Sequence, residues 1–278
     1  YSCINCIRTL PFVTRWYDTY KDQGFVVVGV HTPEFEFEKK AENVADAIDR
    51  YAIHYPVVQD NDYGTWRVYH NRYWPAHYLI DAEGNIREKH FGEGEYDETE
   101  AAIRSLLAEM GASAETGSIS LADVPDETPR VSLTPETYLG LARLKRFDSP
   151  ESPVAGVSTY TSPKTLWLNH FSYSGLWMLD NENATAFSEA SLLIRFHAGK
   201  AFLVLSPPIS GLGNVRVLLN GKLIGREYAG ADVRDGIVPV DSSRLYELVD
   251  LHGETGDYML QLDFETPGTS AYAFTFGE

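Results

Sequence analysis

The chain has 278 residues, of which 44% are hydrophobic and 17 are tyrosines, which is enough apolar material for two domains and too much for a disordered chain. Its formal net charge is −17, and an acidic surface of this kind repels nucleic acid and anionic membranes. No apolar run approaches the roughly 20 residues that a membrane-spanning helix needs, and no signal peptide is visible.

The first 112 residues alternate between helix and strand patterns. Residues 6–23 carry an apolar stripe with helical spacing, with Pro11 inside it as an expected kink and Gly24 as its end. Residues 25–30 form a continuous apolar run, which predicts a strand buried on both faces. We then expect a helix over 37–51, a strand over 56–58, a helix over 62–70, a hairpin over 77–91 and a helix over 97–110. This order predicts an α/β sandwich over residues 1–112.

The composition changes at residue 113, after which Ser, Thr, Pro and Asp dominate up to residue 152. This predicts a linker over 113–152, with one helical patch at 135–144. Short strand patterns then follow one another, and Asn220-Gly221 is a strong signal for a hairpin turn. We therefore expect an all-β antiparallel sandwich of jelly-roll type over residues 153–278.

The chain has two cysteines, Cys3 and Cys6, at the start of the first predicted helix. A zinc site would need further ligands, and the eight histidines have no spacing that completes one, so we expect no metal. A structural disulfide is a second interpretation, although so short a loop constrains the unfolded chain little. We favour a catalytic dithiol, because the N–H groups and the dipole at a helix N-terminus lower the pKa of a thiol. Its only redox group would be the reversible Cys3–Cys6 disulfide, without a cofactor.

Around this motif the chain resembles the thioredoxin superfamily, over about residues 1–112. Pro11 stands where thioredoxins carry the proline that kinks the active-site helix. Trp74-Pro75 stands where the family has a cis-proline loop that faces the dithiol. The long insert at 31–55 is similar to that of the TlpA/ResA-like branch, and this resemblance implies an acidic residue near the dithiol, Glu34.

A more extensive resemblance is to the C-terminal region of DipZ-type proteins, a thioredoxin-like domain followed by a β-sandwich of carbohydrate-binding-module type. It rests on residues 1–6, 29–34, 71–76, 134–138 and 244–249. It implies a thiol–disulfide oxidoreductase that acts on protein disulfides in the cell envelope, as a reductase of a DipZ or cytochrome c biogenesis-type pathway. A membrane electron donor, upstream or separate, is the implied partner. Because a redox motif normally follows a strand, we also expect the protein to extend upstream of Tyr1 and to be tethered to a membrane.

The chemistry of disulfide exchange gives the two thiols different roles. Cys3 is nearer the helix start and is expected to be the more exposed, attacking thiolate, whereas Cys6 should resolve the mixed disulfide. Glu34 is either a proton shuttle to Cys6 or a solvated loop glutamate. The residues between the cysteines tune the reduction potential, but Ile4-Asn5 leaves the direction of electron flow open. A peroxiredoxin would surround its reactive cysteine with Thr and Arg in an arrangement that this chain does not match.

Substrate binding is expected in two places. In the first domain, a cis Pro75, which has no N–H, would present the backbone of Trp74 to an incoming chain, and Asn5 and Tyr1 complete the expected set. In the second domain, the aromatic residues proposed to stack on a sugar are Trp167 and Trp177, supported by Tyr173 and Tyr228. Aromatic residues in strands are more often part of a core. The alternative for the whole protein is therefore a glycan- or protein-binding module with a structural or vestigial disulfide.

Overall fold

The computed structural model describes residues 1–111, 121, 123–209 and 211–278. These form two compact units, Tyr1–Thr128 and Pro129–Glu278. Residues 113–120 and 122 of the expected linker lie outside the described residues.

The first unit has the predicted alternation of helices and strands. Helix α1 (Ile4–Tyr20) contains Pro11 and runs into a 3-10 turn (Lys21–Gln23), which Gly24 ends with a left-handed φ of 97°. Then come β1 (Gly29–His31), a 3-10 helix (Glu36–Lys39), α2 (Ala41–Arg50), β2 (Val57–Gln59), α3 (Gly64–Val68), β3 (Ala76–Ile80), β4 (Ile86–Phe91) and α4 (Tyr96–Glu109). Strands β1 and β2 pair in parallel, and β3 and β4 form the predicted antiparallel hairpin.

The core of the first unit lies between α1 and α4. Phe12, Trp16 and Tyr20 are spaced four residues apart, so they share one face of α1, and all three are buried. Phe12 stacks on Tyr96 of α4 with ring centroids 3.5 Å apart. The Tyr20 hydroxyl donates to Glu100 Oε1 at 2.7 Å. This packing fixes the axis of the helix whose first turn carries the two cysteines.

The run at residues 25–30 is not a strand buried on both faces, and that prediction is wrong. Only its last two residues lie in β1. Val26, Val28 and Val30 are 73%, 54% and 42% exposed, and as alternate residues of an extended chain they share one face. An apolar strand is buried only when other elements pack on both of its faces. Within the described residues, nothing packs closely on the face that carries Val26, Val28 and Val30.

The second unit is built of short antiparallel strands. They are β5 (Thr137–Tyr138), β6 (Gly156–Tyr160), β7 (Phe171–Leu179), β8 (Ala184–Ala186), β9 (Ser191–Ala198), β10 (Lys200–Ser206), β11 (Gly213–Leu219), β12 (Lys222–Leu223), β13 (Ile237–Val240), β14 (Arg244–Asp250), β15 (Gly256–Phe264) and β16 (Ser270–Gly277). The strand order is β12-β11-β15-β9-β7-β8-β16-β10-β14; in addition, β13 pairs with β11, β5 with β16 and β6 with β7.

Strand β7 joins the two layers of this sandwich. Its first residues, 171–174, pair with β9, and residues 175–179 pair with β6. At the change of partner, Gly175 has a φ of 83°, and a Cβ there would lie 2.1 Å from the carbonyl oxygen of Glu189. A glycine is therefore required at this bend. The predicted fold class, a thioredoxin-like α/β sandwich followed by an all-β sandwich, is confirmed.

Two local predictions in this unit have opposite outcomes. Asn220 and Gly221 have φ values of 52° and 77° and connect β11 to β12, which confirms the hairpin. The helical patch at 135–144 is wrong, since this stretch contains β5 and a 3-10 helix (Leu141–Arg143). Pairing of β5 with β16 outweighs the local helical tendency, and it brings residues 129–152 of the expected linker into the second unit.

Candidate active site

The two cysteines lie in the first turn of α1, where backbone N–H groups lack carbonyl partners within the helix. Cys3 is the N-cap residue, and its sulfur accepts the backbone N–H of Cys6 at 3.3 Å. The Cys6 thiol donates to the same sulfur, with the two Sγ atoms 2.8 Å apart. Both cysteines are free and half-buried. Cys3 therefore accepts hydrogen bonds while Cys6 holds the proton between the two sulfurs.

The pKa of the Cys6 thiol is raised well above its ordinary value. The hydrogen bond to Cys3 is the largest cause, followed by burial and by negative charge on Cys3. The Glu38 carboxylate raises this pKa further. A thiol that keeps its proton is a poor nucleophile. In the resting protein, Cys6 is thus suited to react second, after Cys3 has formed a bond.

The loop before β3 has the expected backbone conformation. The Trp74–Pro75 bond is cis, which confirms the prediction for this bond. The Trp74 indole N–H donates to the carbonyl oxygen of Thr32 at 3.2 Å, and its ring centroid lies 4.3 Å from that of Trp66. The Pro75 carbonyl accepts the N–H of Gly92 at 2.9 Å. Both residues of the loop are thereby anchored to neighbouring segments.

One of these anchors leads to α1. Gly92, bonded to Pro75, is followed by Glu93, whose carboxylate lies 3.4 Å from the guanidinium of Arg8. Arg8 and Glu93 are both largely buried, and burial raises the pKa of Glu93 while Arg8 opposes that shift. Arg8 is five residues after Cys3 in the same helix. The loop and the dithiol are therefore connected through a buried ion pair.

The other anchor leads to the residues before the dithiol. Thr32, which accepts the Trp74 indole, follows His31, and the His31 ring lies 5.6 Å from the ring of Tyr1. Burial lowers the pKa of His31. Direct contact between Pro75 and Cys3 stays a prediction.

Glu38 is a buried carboxylate that sequence reasoning did not select. Its Oε1 accepts the Ser2 hydroxyl at 2.7 Å and the Ser2 N–H at 3.2 Å. Its Oε2 accepts the N–H groups of Glu34 at 2.6 Å and Phe35 at 3.2 Å. Burial raises the pKa of Glu38, whereas the hydrogen bonds from the Ser2 hydroxyl and the Glu34 N–H lower it. Glu38 therefore connects Ser2, the residue before Cys3, to the backbone of residues 34 and 35.

A local signal for Glu38 exists in the sequence. It is the third residue of the 3-10 helix Glu36–Lys39, and it accepts the N–H of Phe35, the N-cap residue, as the carboxylate of a capping box does. Glu36 in the same turn is 72% exposed at its side chain. Glu34, selected from the resemblance, contributes its backbone N–H to Glu38, and its role as a proton shuttle stays a prediction.

The other expected substrate-binding residues of the first unit are half-buried. Asn5 lies between the cysteines, and its carbonyl accepts the Thr9 hydroxyl at 2.8 Å. The Tyr1 ring packs against His31 and lies 6.1 Å from the Phe37 ring. Contact of Asn5 and Tyr1 with a substrate stays a prediction.

The expected sugar-stacking pair of the second unit, Trp167 and Trp177, does not form one exposed platform. Trp177 is fully buried, with ring centroids 4.8 Å from Tyr173 and 5.0 Å from Phe264, so its assignment to a sugar site is wrong. Tyr173, four residues earlier in β7, is also fully buried and shares the inner face. Trp167 is 65% exposed and Tyr228 is 41% exposed.

Within the described ranges, no group of three or more His, Cys, Asp or Glu side chains is arranged to hold a metal ion. The helices of the same residues are all too short or too polar to cross a membrane.

Two family models match the chain. The thioredoxin-like C-terminal domain matches residues 134–277, about half of the chain. The AhpC/TSA family matches residues 1–89.

Similar proteins of known sequence support the same grouping. DipZ of Mycobacterium tuberculosis (strain CDC 1551 / Oshkosh) is 42% identical over 242 residues, which are 87% of this chain and 34% of DipZ. The chain thus spans about a third of the length of this curated relative. SUPPRESSOR OF QUENCHING 1 of Arabidopsis thaliana is 32% identical over 142 residues, 50% of this chain and 14% of that protein. The thiol-disulfide oxidoreductase YkuV of Bacillus subtilis is 30% identical over 108 residues, 39% of this chain and 72% of YkuV. The resemblance to thioredoxin-like and DipZ-type proteins is confirmed.

Proposed function

The chain belongs to the family of the thioredoxin-like C-terminal domain, and on this premise we propose that it is a thiol–disulfide oxidoreductase that reduces protein disulfides. The observation that carries the proposal is the asymmetric dithiol, in which Cys3 accepts two hydrogen bonds and Cys6 keeps its proton. Its similarity to YkuV, which is named a thiol-disulfide oxidoreductase, supports the same activity.

The proposed reaction is a pair of exchange steps. Cys3 loses its proton to solvent, and its thiolate attacks one sulfur of the substrate disulfide. A Cys3–substrate disulfide forms, the substrate S–S bond breaks, and the departing sulfur takes up a proton. Cys6 then releases its proton and attacks the Cys3 sulfur, so that the Cys3–Cys6 disulfide forms and the second substrate thiol leaves. The substrate gains two electrons, and an external dithiol must return two electrons to the protein.

The setting and partners are proposed from the similarity to DipZ. We place the protein outside the cytoplasm, in the periplasm or cell envelope, held to the membrane in its full-length form. A membrane protein or domain with its own dithiol supplies the electrons, in a DipZ or cytochrome c biogenesis-type pathway. The second unit holds protein substrates near the dithiol and so raises their effective concentration. Protein docking is favoured over glycan binding because Trp177 and Tyr173 are core residues.

Reduction of a protein disulfide tests this function. The whole protein is mixed with insulin and with dithiothreitol as the external dithiol, and precipitation of reduced insulin chains is followed. We expect acceleration by the wild type, none by Cys3→Ser, and full activity of the control Arg15→Ser, an exposed position on the same helix. Equal rates for the wild type and Cys3→Ser would reject the function. A Cys3–Cys6 disulfide that dithiothreitol leaves intact would favour the alternative of a binding module with a structural disulfide.

A further inference from the structure

A group of aromatic residues borders the loop that carries Pro75. Residues 63–80 contain six aromatic side chains and neither Asp nor Glu, in a chain whose net charge is −17. Two rings next to this loop are largely exposed, Tyr73 at 56% and Phe91 at 46%. Phe91 pairs with Ala76 across the β3–β4 hairpin, and its ring centroid lies 5.5 Å from that of Tyr73. Exposed aromatic rings grouped in this way are typical of surfaces that bind another molecule.

The rings are held in place by one another and by one polar side chain. The Phe91 ring centroid lies 6.0 Å from that of Tyr78, which lies 4.9 Å from that of Tyr69. The Tyr78 hydroxyl donates to Asn71 Oδ1 at 3.1 Å, and Asn71 Nδ2 donates to the carbonyl oxygen of Tyr73 at 2.9 Å. A surface that is already ordered loses little conformational entropy on binding. We call this group the aromatic surface; it consists of Tyr69, Tyr73, Tyr78 and Phe91.

The charged side chains around the aromatic surface are mainly positive. Lys89 Nζ lies 6.0 Å from the centroid of the Tyr78 ring. The exposed Arg67 and Arg72 are within two residues of members of the surface. Among the residues that the structure describes, no carboxylate forms an ion pair with any of these three cations. Glu88, the one acidic residue of β4, is adjacent to Lys89 in the strand and so lies on its other face.

We propose that the aromatic surface binds the substrate polypeptide next to its disulfide, and that the polypeptide it fits is an extended segment with apolar side chains and with Asp or Glu. Four rings in series offer room for several residues, and apolar side chains pack on their exposed faces. Carboxylates of the segment form charge-assisted hydrogen bonds with the unpaired arginines. The inference rests on the proposed function and adds to it the class of substrate.

Peptide binding tests the substrate class without any redox step. Two short fluorescent peptides share Phe and Leu around a central Ser that replaces cysteine, and one carries Glu where the other carries Gln. Binding to the whole protein is followed by fluorescence anisotropy at physiological salt. We expect the Glu peptide to bind about tenfold more tightly. The net charge of −17 favours the opposite order, so this result cannot come from the overall charge. Equal binding, or tighter binding of the Gln peptide, overturns the proposal.

Two matched pairs of variants locate the binding. Phe91 and Ile86 both lie on β4 and are 46% and 44% exposed, but Ile86 is outside the aromatic surface. We expect Phe91→Ser to weaken binding of the Glu peptide about tenfold and Ile86→Ser to leave it unchanged. Arg72→Glu should abolish the preference for Glu over Gln, whereas Arg50→Glu, the same charge change at the exposed end of α2, should keep it. Equal results within either pair overturn the proposal.

Disulfide-linked dimers of the same peptides, with cysteine restored, extend the test to turnover. Tyr73→Ser should raise KM for the Glu dimer about fivefold and leave kcat and the rate on a small disulfide unchanged, because the ring binds substrate and takes no part in exchange. A lower kcat with unchanged KM contradicts this role. Binding of the Ser peptides needs no dithiol. A wild type that binds the Glu peptide but reduces no disulfide defeats the proposed function alone, and one that reduces insulin without a preference defeats this inference alone.

Discussion

The two units of this chain bury different kinds of side chain. The second unit has an apolar and aromatic core in which Tyr173, Trp177 and Phe274 are completely buried. The first unit buries the charged side chains of Arg8 and Glu38, while an apolar face that includes Val26 is exposed. Because a buried charge costs several kcal/mol before its partners compensate, the first unit is expected to be the less stable of the two. The first unit thus has charged side chains in its interior, whereas the second unit is held by close apolar packing.

The largest expected effect is a loss of turnover when the dithiol of the first unit is changed. Cys6→Ser removes the resolving thiol, so the mixed disulfide on Cys3 cannot be released and turnover should fall roughly a thousandfold. The covalent complex with a protein substrate should accumulate and be visible on a non-reducing gel. Thermal unfolding should stay at wild-type values. Rapid turnover without a trapped complex would contradict the division of roles between Cys3 and Cys6.

Trp177→Ala should reduce the stability of the second unit, where Trp177 is part of the core. It opens a large cavity between Tyr173 and Phe264, and the free energy of unfolding of the second unit should fall by about 3–5 kcal/mol. Denaturant unfolding measures this loss. Trp167→Ala, an exposed control, should change stability by less than about 0.5 kcal/mol. Reduction of a small disulfide should be unaffected by both variants, and a loss of activity in Trp177→Ala would show that the units are not independent in function.

Acid should weaken the first unit through His77. Burial, helped by the charge of His90, lowers the pKa of His77 to about 4, compared with about 6.5 in the unfolded chain. As pH falls, His77 therefore takes up a proton in the unfolded chain before it does so in the folded protein. Above about pH 6.5 it is neutral in both states and does not weaken the fold. Between about pH 6.5 and pH 4 the free energy of unfolding of the first unit should fall by about 3 kcal/mol. His77→Asn should flatten the pH dependence of unfolding in this window, whereas His252→Asn, exposed in the second unit, should not. Equal slopes in the two variants would remove His77 as the cause.

The smallest effect concerns the contact between α1 and α4. Tyr20→Phe deletes the hydroxyl that donates to buried Glu100 and should cost about 1–2 kcal/mol. The shift in the unfolding midpoint of the first unit measures it. Turnover at a temperature well below this midpoint should be retained, since the bond lies far along α1 from the cysteines. A large loss of turnover with unchanged stability would argue against a purely structural bond.

Features set by neighbouring residues could be predicted from the sequence. The four-residue spacing of Phe12, Trp16 and Tyr20 is sufficient to define the buried face of α1, and Asn220-Gly221 supplies the backbone conformation of its turn. Cys3 at the start of α1 belongs to the same class, because it depends on a short local motif. The cis bond at Trp74–Pro75 was expected from the resemblance to the thioredoxin superfamily.

Features set by distant parts of the chain could not be predicted. The alternation of residues in a strand does not show which face points to the core, so the sequence did not reveal that Trp177 is buried. The inner face of β7 is set by its pairing on both sides of the bend at Gly175. Glu34, Glu36 and Glu38 alternate, and an extended chain would put them on one face. The 3-10 helix at Glu36–Lys39 separates them, with Glu38 inside and Glu36 outside.

The reduction potential of the Cys3–Cys6 couple tests the central claim most directly. The whole protein is equilibrated at pH 7 in buffers of reduced and oxidised glutathione or dithiothreitol, and the fraction of free thiols is counted by the mass added on alkylation. We predict a reversible two-electron couple at about −230 mV or lower, in the range of reducing thioredoxin-like proteins. A potential near about −120 mV, as in a strong oxidant, would contradict the assignment as a reductase. A pair of thiols that does not titrate in this range would contradict redox activity itself.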